Sequence, residues 1–251
     1  MPATQPRPTS PYVVPQERGS RGAYCSGAIP VFELELFPNA SARPSLPPGV
    51  TRLEGFALEW QDALLAALTQ VIAAAPLQHM LTPGGQRMSV AMTNCGALGW
   101  ITDRRGYRYA ALDPRSGAPW PALPEVIRKL AAAAGLAAGY ASFEPDACLI
   151  NCYAPGARMS LHQDRDEQDF GAPIVSVSLG LPATFLIGGL TRRERPLRLP
   201  LAHGDVVVWG GPARLAYHGV APVVDGLHPK LGRQRINLTL RRAGALKLNG
   251  N

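Results

Sequence analysis

Several features that would assign this 251-residue chain to a special class are scarce or missing. No apolar run approaches the roughly 20 residues that a membrane-spanning helix needs. The first residues lack the apolar core of a secretory signal, and the four cysteines have no disulfide-framework spacing. We therefore expect a cytoplasmic protein with reduced thiols and no contact with a membrane.

Lysine is also rare, because Lys129, Lys230 and Lys247 stand against a large excess of arginine. The formal net charge is +7, and a basic surface suits a polyanionic partner such as nucleic acid. An arginine-rich and lysine-poor composition is, however, also common in proteins encoded by GC-rich genomes. The charge alone therefore favours a nucleic-acid partner only slightly.

The chain divides by composition into a tail and a folded region. Residues 1–48 are rich in Pro, Ser, Arg and Gly without a sustained period, which predicts a disordered tail. An arginine-rich arm that touches nucleic acid and a transit segment are the alternatives for this stretch. Beyond it, apolar residues at helical spacing predict helices over 57–74 and 123–137.

From residue 146 onward, short apolar or alternating runs are separated by Gly, Pro and charged turns. These runs predict strands at 147–153, 174–179, 184–187, 206–209, 215–218 and 236–240. Many short strands with such turns are typical of a β-sandwich or barrel.

The stretch His162-Gln163-Asp164 carries the strongest chemical signal in the sequence. On an extended strand alternate side chains share a face, so His162 and Asp164 would point the same way and Gln163 the other way. One imidazole and one carboxylate are two ligands of the facial triad of non-haem Fe(II) oxygenases, which needs a second histidine. The tripeptide alone is a weak signal, because such a pattern arises often by chance.

The third ligand can be sought by elimination, since the sequence has five histidines. His79 and His228 are predicted to lie in loops, and His203 begins a turn. His218 is predicted to end an apolar strand, and a strand end holds a ligand more rigidly than a loop. We choose His218, with His203 as the main competitor. The non-catalytic alternative is a pair of hydrogen-bonded core imidazoles, and the same ligands would also accept Mn, Ni, Co or Zn.

Polar residues alternate along the last predicted strand. Those that share one face are Arg235, Asn237, Thr239 and Arg241. Taken in isolation, such a row faces solvent, but its position shortly after the His218 strand favours the wall of a common cavity. There an arginine could bind the free carboxylate of an iron-chelating diacid in a bidentate fork. Asn151 and Tyr153, also two residues apart, could complete the hydrogen bonds of the diacid.

With these residues in view, the sequence resembles the AlkB family of Fe(II)/2-oxoglutarate-dependent nucleic-acid demethylases from about Arg52 to Gly244. The matching blocks include Thr82-Pro83-Gly84-Gly85, Met88 to Gly96, Gly99-Trp100, Asn151, Tyr153 to Ala157, Leu161 to Asp164, the run from Ile174 to Pro182, His203 to Gly211, and Asn237-Leu238-Thr239. So many dense blocks in one order make the resemblance specific. Cys152 and Ile187 depart from the family pattern, which puts only fine substrate preference in doubt.

The resemblance implies a mainly β fold with flanking helices around a double-stranded β-helix, the jelly-roll core of these oxygenases. It implies one catalytic domain over 49–245, with a nucleotide-recognition region at about 77–120 and a short tail at 246–251. It also implies Fe(II), 2-oxoglutarate and O2 as cofactor and co-substrates. The implied iron ligands are His162, Asp164 and His218, and the implied 2-oxoglutarate residues are Asn151, Tyr153, Arg235, Asn237 and Arg241.

A segment from Trp100 to Tyr109 interleaves three aromatic residues with three arginines. Aromatic rings can stack on unpaired bases and arginines can hold phosphates, although a solvated β-hairpin explains the pattern equally well. The resemblance carries five residues onto substrate-binding positions: Trp100, Tyr107, Met92, Asp166 and Arg192. It places a flipped base between the Trp100 ring and His162. Without it, Asp166 would be read as a surface charge, and for Arg192 a solvated turn is nearly as plausible as a place on the substrate lip.

The implied activity is oxidative demethylation of N-alkylated bases such as 1-methyladenine and 3-methylcytosine in DNA, a direct-reversal repair that releases formaldehyde and succinate. A methyl group on a pairing nitrogen weakens the base pair, so such a base is easier to extrude. We expect alkylated DNA, in single-stranded form, as the partner of a monomeric enzyme. The alternatives are the same chemistry on methylated RNA or another substrate, and a non-catalytic module that binds damaged DNA.

Overall fold

The computed structural model of the chain describes residues 45–244. Apart from residues 45–48, the predicted tails lie outside the described residues. The twelve strands of the described part are β1 (Val50–Leu53), β2 (Ala91–Gly96), β3 (Gly99–Asp103), β4 (Gly106–Ala110), β5 (Ala147–Tyr153), β6 (Met159–His162), β7 (Ile174–Gly180), β8 (Ala183–Ile187), β9 (Leu197–Leu201), β10 (Val206–Trp209), β11 (His218–Val220) and β12 (Arg235–Arg241). Two α-helices, α1 (Gln61–Ala74) and α2 (Glu125–Ala137), precede β5. None of the helices described is long and apolar enough to cross a bilayer.

The strands form two antiparallel sheets and a separate hairpin. The larger sheet has the order β1-β10-β7-β12-β5-β2, the smaller has the order β6-β11-β8-β9, and β3 pairs with β4. Apolar side chains from both sheets share one buried cluster, which includes Tyr153, Phe185, Ile187 and Trp209. This is the two-sheet arrangement expected of a jelly roll.

Strand β12 shows why both faces of the larger sheet are buried. Ile236, Leu238 and Leu240 pack with apolar residues of α1 and α2, such as Leu68 and Ile127. The alternate residues of the strand therefore point to the other face, towards the smaller sheet. All seven residues of β12 are buried, so the interpretation of its polar row as a solvated face is wrong.

The two helices lie where their periodicity predicts, with later starts. A 3-10 helix (Leu58–Trp60) precedes α1, which begins at Gln61 and ends at Ala74, before Pro76. Helix α2 begins at Glu125 because Pro124 has an extended ψ of 139° and serves as its N-cap. Proline fixes φ without supplying an amide donor, so it suits the start of a helix.

The strand predicted over 215–218 is wrong. The predicted strand ends at His218, whereas the observed strand β11 begins at that residue. The preceding apolar run closes a turn, because the Ala216 amide donates to the Ala213 carbonyl and the Tyr217 amide donates to the Gly189 carbonyl in a loop. The side chains of this run are apolar because they are packed. Its main-chain amides, however, bond to a turn and a loop and not to a neighbouring strand.

Strand β6 ends at His162, so Asp164 lies in the loop beyond the strand and the predicted extended strand over 162–164 is too long. The side chain of Gln163 still points away from its neighbours, since its amide donates to the Leu215 carbonyl at 2.6 Å. The alternation predicted for this tripeptide therefore holds without a strand.

Candidate metal centre and active site

Two histidines face each other across the strand pair β6 and β11. His218 lies directly opposite His162 in the register, and their ring centroids are 4.4 Å apart. Asp164 approaches from the loop, with Oδ1 3.6 Å from Nε2 of His162 and Oδ2 3.7 Å from Nε2 of His218. One ligand atom from each residue lies within 4.8 Å of the other two. Such a set of two imidazoles and one carboxylate could hold a divalent metal ion.

The main chain fixes both imidazole rings. Nδ1 of His162 lies 2.8 Å from the Ser160 carbonyl, and Nδ1 of His218 lies 3.0 Å from the Ala216 carbonyl. A carbonyl only accepts, so Nδ1 carries the proton in each ring and Nε2 keeps the lone pair that a metal needs. Burial, followed by the neighbouring His162, lowers the pKa of His218 to about 4 and keeps it neutral.

The carboxylate of Asp164 is held ionised by its surroundings. Burial by itself raises its pKa, but the Arg241 guanidinium, with smaller effects of His218 and His162, outweighs burial and brings the pKa well below its usual value. The side chain of Asp164 is 10% exposed and that of Arg241 is 6% exposed. A buried carboxylate that stays charged is a suitable anionic ligand for a hard divalent cation.

His203, the competing third ligand, lies away from this centre. Its Nδ1 accepts from the Gly180 amide at 2.9 Å, and its Nε2 lies 2.9 Å from Oε1 of Gln61. Both ring nitrogens are thus engaged in holding a turn, and the ring packs against His228. The geometry therefore places His218, and not His203, beside His162 and Asp164, although His218 begins a strand and does not end one.

A cavity opens beside the three side chains and extends between the two sheets. Its empty volume, including the open mouth, is about 430 Å³. All five residues predicted to bind 2-oxoglutarate line it, together with His162 and His218: Asn151, Tyr153, Arg235, Asn237 and Arg241. The structure therefore brings the two predicted sets of residues together in one site.

Arg235 is the strongest sign that this cavity takes an anion. The residue is 1% exposed, yet Nε and Nη1 have no hydrogen-bond partner among the described residues. Nη2 donates to Oγ of Ser178 at 3.0 Å, and the guanidinium lies 5.0 Å from the ring centre of Tyr153. An unpaired buried charge is costly, so a carboxylate ligand would relieve it. Nε and Nη1 are both donors, so this donor set fits a carboxylate of a diacid such as 2-oxoglutarate.

Strands β3 and β4 pair as a hairpin over the segment from Trp100 to Tyr109, which the sequence offered as the alternative to a nucleic-acid contact. The Trp100 and Tyr107 rings stack with centroids 5.6 Å apart and planes inclined by 17°. Nε1 of Trp100 donates to Oδ2 of Asp166 at 2.9 Å, and Tyr107 is 50% exposed. These three side chains offer a ring surface and an acceptor for a base edge.

The arginines of this hairpin do not all face outward as phosphate ligands. Arg108 forms two hydrogen bonds to the carboxylate of Asp103, and Arg105 contacts the same carboxylate at 3.2 Å. These contacts, that of Arg108 first, hold the pKa of Asp103 well below its usual range. Two of the three interleaved arginines therefore stabilise the hairpin itself, which the spacing alone could not show.

The remaining two predicted substrate residues, Met92 and Arg192, are not among the residues that line the cavity. Met92 is fully buried on β2 opposite Asn151. Arg192 is exposed in the loop between β8 and β9. The base of that loop is tied to the residue before His218, because the Gly188 amide donates to the Tyr217 carbonyl.

Sequence reasoning missed a buried polar network beside Asp164. Oε1 of Glu167 accepts from the Tyr109 hydroxyl at 2.7 Å, and Oε2 accepts from Arg214 at 3.1 Å. Arg214 also donates to the main-chain carbonyl of Asp164 at 2.8 Å. Glu167 follows two exposed charged residues, so nothing in the local sequence marks it as buried.

The fold and the site together define an iron- and 2-oxoglutarate-dependent oxygenase, and the comparisons agree. The model of the 2OG-Fe(II) oxygenase superfamily matches residues 49–241. The chain is 56% identical to the alpha-ketoglutarate-dependent dioxygenase AlkB of Salmonella typhimurium and 53% identical to that of Escherichia coli, each time over 84% of this chain and 98% of the relative. The solved structure of OsALKBH1 superimposes with a TM-score of 0.69 at 29% identity, over 79% of this chain and 98% of that one.

The chain belongs to the AlkB family of this superfamily. It is therefore a 2-oxoglutarate-dependent dioxygenase that uses Fe(II), 2-oxoglutarate and O2. The double-stranded β-helix expected from the sequence is confirmed by the two-sheet topology and by the structural match.

Proposed function

We propose that this protein oxidatively demethylates N-alkylated bases such as 1-methyladenine and 3-methylcytosine in DNA. The observation that carries the proposal is the position of three potential ligands, His162, Asp164 and His218, at a cavity that contains a buried and unsatisfied arginine, Arg235. In this proposal the three ligands hold Fe(II), and residues 49–245 form the catalytic domain. The region at about 77–120, which includes the β3–β4 hairpin, recognises the nucleotide.

The proposed 2-oxoglutarate residues have separate tasks. Arg235 binds the carboxylate distant from the metal, because two of its nitrogens are free among the described residues while Arg241 is engaged by Asp164. Tyr153 and Asn151 offer a hydroxyl and an amide to the same co-substrate. The amide nitrogen of Asn237 donates to Oγ of Ser176 at 2.8 Å and to the Val177 carbonyl at 3.0 Å, so Asn237 fixes this wall of the cavity around the co-substrate.

Held by His162, Asp164 and His218, Fe(II) with 2-oxoglutarate and O2 would supply the oxidation of the N-methyl group to N-hydroxymethyl, with succinate and CO2 as co-products. The C–N bond then breaks, releasing formaldehyde and returning the proton to the base nitrogen. The protein itself contributes ligation, orientation and exclusion of stray reactions. His218 and Arg235 are 4% and 1% exposed, so the inner wall of the cavity is shielded from bulk water.

The proposed base site lies at the hairpin. A base must leave its stack to reach a buried centre, and an aromatic ring can replace part of the lost stacking. Trp100 offers that ring, and Asp166, which fixes the indole through Nε1, offers an acceptor for an exocyclic amine. Tyr107 and the exposed Arg192 are proposed to contact the strand on either side, and Met92 to support the site from the core.

We propose single-stranded DNA as the preferred form, since no unpairing is needed there, and a monomeric cytoplasmic enzyme. Methylated RNA is the second candidate substrate, because the stacking ring and the acceptor carboxylate do not read the sugar. A non-catalytic binding module is disfavoured, since such a module needs no buried arginine aimed at a co-substrate.

The test is mass spectrometry of a 1-methyladenine oligonucleotide after incubation with Fe(II), 2-oxoglutarate and ascorbate, with the RNA version in parallel. We expect the DNA to lose the mass of one CH2 group and formaldehyde to appear. The His162→Ala and His218→Ala variants should be inactive, while the control His228→Ala, in the loop before β12 and outside the recognition region, should retain activity. Normal turnover by either ligand variant would refute the proposed site.

A further inference from the structure

We infer that Glu167 is a positioning residue that joins the metal centre to the β3–β4 hairpin; this rests on the proposed function. Its side chain is 1% exposed and contacts three separate elements. Oε1 accepts from the Tyr109 hydroxyl of β4 at 2.7 Å and lies 3.4 Å from Nε of Arg241 in β12. Oε2 accepts from Arg214, in the turn before β11, at 3.1 Å. One carboxylate thus fixes the relative position of these elements.

The network holds Asp164 by its side chain and by its main chain. Nε of Arg241 donates to Oδ2 of Asp164 at 2.7 Å, and Nη1 of Arg214 donates to the main-chain oxygen of Asp164 at 2.8 Å. Glu167 contacts both of these arginines. The four side chains are two carboxylates and two guanidiniums, each at most 10% exposed. Buried charges of this kind persist when they are mutually paired, so removing one member disturbs the others.

The same short segment also anchors the hairpin. Tyr109 lies opposite Trp100 in the β3–β4 register. Trp100 itself bonds to Asp166, the residue before Glu167. Within residues 164–167, one side chain is a proposed metal ligand and two hold the hairpin. The position of the indole is therefore coupled, through Glu167, to the position of the metal ligand.

Two substitutions separate the two tasks. Glu167→Gln keeps the shape of the side chain but removes its charge. The Asp164 carboxylate would then face the two guanidiniums of Arg241 and Arg214 alone, with one positive charge in excess. This excess charge would weaken the carboxylate as a metal ligand. Tyr109→Phe deletes the hydroxyl that ties the hairpin and leaves both guanidinium contacts intact.

The experiment measures Mn²⁺ binding to the full chain by electron paramagnetic resonance, in the presence of 2-oxoglutarate, beside demethylation kinetics. We expect Glu167→Gln to weaken Mn²⁺ binding by about tenfold or more, as is usual for partners of metal ligands. Tyr109→Phe should bind Mn²⁺ within about twofold of wild type and raise KM for the oligonucleotide several-fold more than it lowers kcat. The control Glu125→Gln removes an exposed pair with Arg128 and should change neither quantity.

Circular dichroism melting accompanies each variant. If Glu167→Gln does not fold, Arg214→Lys takes its place with the same expected loss, because lysine cannot reach Glu167 and the Asp164 carbonyl together. Wild-type Mn²⁺ affinity in the folded Glu167 variant, or an unchanged KM in Tyr109→Phe, would overturn the inference. A wild-type chain that binds no Mn²⁺ would instead overturn the proposed function, and the inference with it.

Discussion

Arg241 donates from Nε and Nη2 to the same carboxylate oxygen of Asp164, with the Nε bond at 2.7 Å. The other oxygen, Oδ1, accepts no hydrogen bond from the described residues and lies 3.6 Å from Nε2 of His162. The arginine therefore orients the carboxylate, with one oxygen fixed and the other left for an ion. Arg241 is thus engaged by Asp164, whereas two nitrogens of Arg235 have no partner among the described residues. The two arginines, six residues apart on one face of β12, therefore have different tasks.

The Arg241→Met substitution should destabilise the metal-free protein. It leaves the Asp164 carboxylate buried without its strongest partner, and breaking a buried pair in this way costs about 3–5 kcal/mol. Urea unfolding without metal should show this loss in the free energy of unfolding. The control is Arg233→Met, whose ion pair with Asp225 is exposed and should contribute little. Equal stability of the two variants would contradict the assignment.

The Arg235→Lys substitution should affect 2-oxoglutarate and spare the metal. Lysine keeps the charge but cannot present two parallel donors to a carboxylate, so KM for 2-oxoglutarate should rise by about tenfold or more. The measurement is succinate formation against 2-oxoglutarate concentration. Mn²⁺ affinity without co-substrate is the internal control and should stay at the wild-type value. Loss of Mn²⁺ affinity with an unchanged KM would show that the two arginines had been assigned the wrong way round.

The polar row of β12 could be predicted because strand side chains alternate strictly and the residue types are unmistakable. The sequence could also disfavour three histidines as third ligand, His79, His203 and His228, since a turn or loop signal adjoins each of them. What it could not show was where the strand begins. The run before His218 is apolar, like a strand, but its amides bond to a turn and to the Gly189 carbonyl. Hydrogen bonds of this kind join distant segments and leave no local pattern.

The network around Glu167 was invisible for a related reason. In the sequence this residue stands in a charged run that looks like a solvated turn. Its partners are far away in the sequence: Tyr109, Arg214 and Arg241 lie 58, 47 and 74 positions from it. In the sequence alone, each of them could equally be a surface residue. Only the packing of β4, β12 and the turn before β11 turns these four residues into a buried set.

The Trp100→Ala substitution should weaken substrate binding without disabling the metal centre. A stacked ring contributes about 1–3 kcal/mol per base, so KM for the methylated oligonucleotide should rise by about tenfold or more. Succinate formation in the absence of DNA should continue at the wild-type rate, because Trp100 is not among the residues that line the cavity proposed to bind 2-oxoglutarate. If the variant kept the wild-type KM for the oligonucleotide, the base would have to bind elsewhere on the hairpin.

The close approach of β11 to β6 requires a glycine at position 219. A Cβ there would lie 2.6 Å from the Met159 carbonyl oxygen and 3.1 Å from the Ser160 carbonyl, both backbone atoms of the partner strand. The pairing is already irregular here, since the register shifts between His218 and Val220. Because backbone cannot rotate aside like a side chain, the strands would have to separate beside the two facing histidines.

We therefore expect Gly219→Ala to cost about 1–3 kcal/mol of stability and to weaken Mn²⁺ binding, because the distance between the His218 and His162 rings would increase. Thermal unfolding and Mn²⁺ titration measure the two effects. Gly84→Ala is the matched control, since the nearest atom a Cβ would meet there is 3.8 Å away. A Gly219→Ala protein with wild-type Mn²⁺ affinity would show that the triad tolerates movement of β11, and that the strand pairing does not set the ligand geometry.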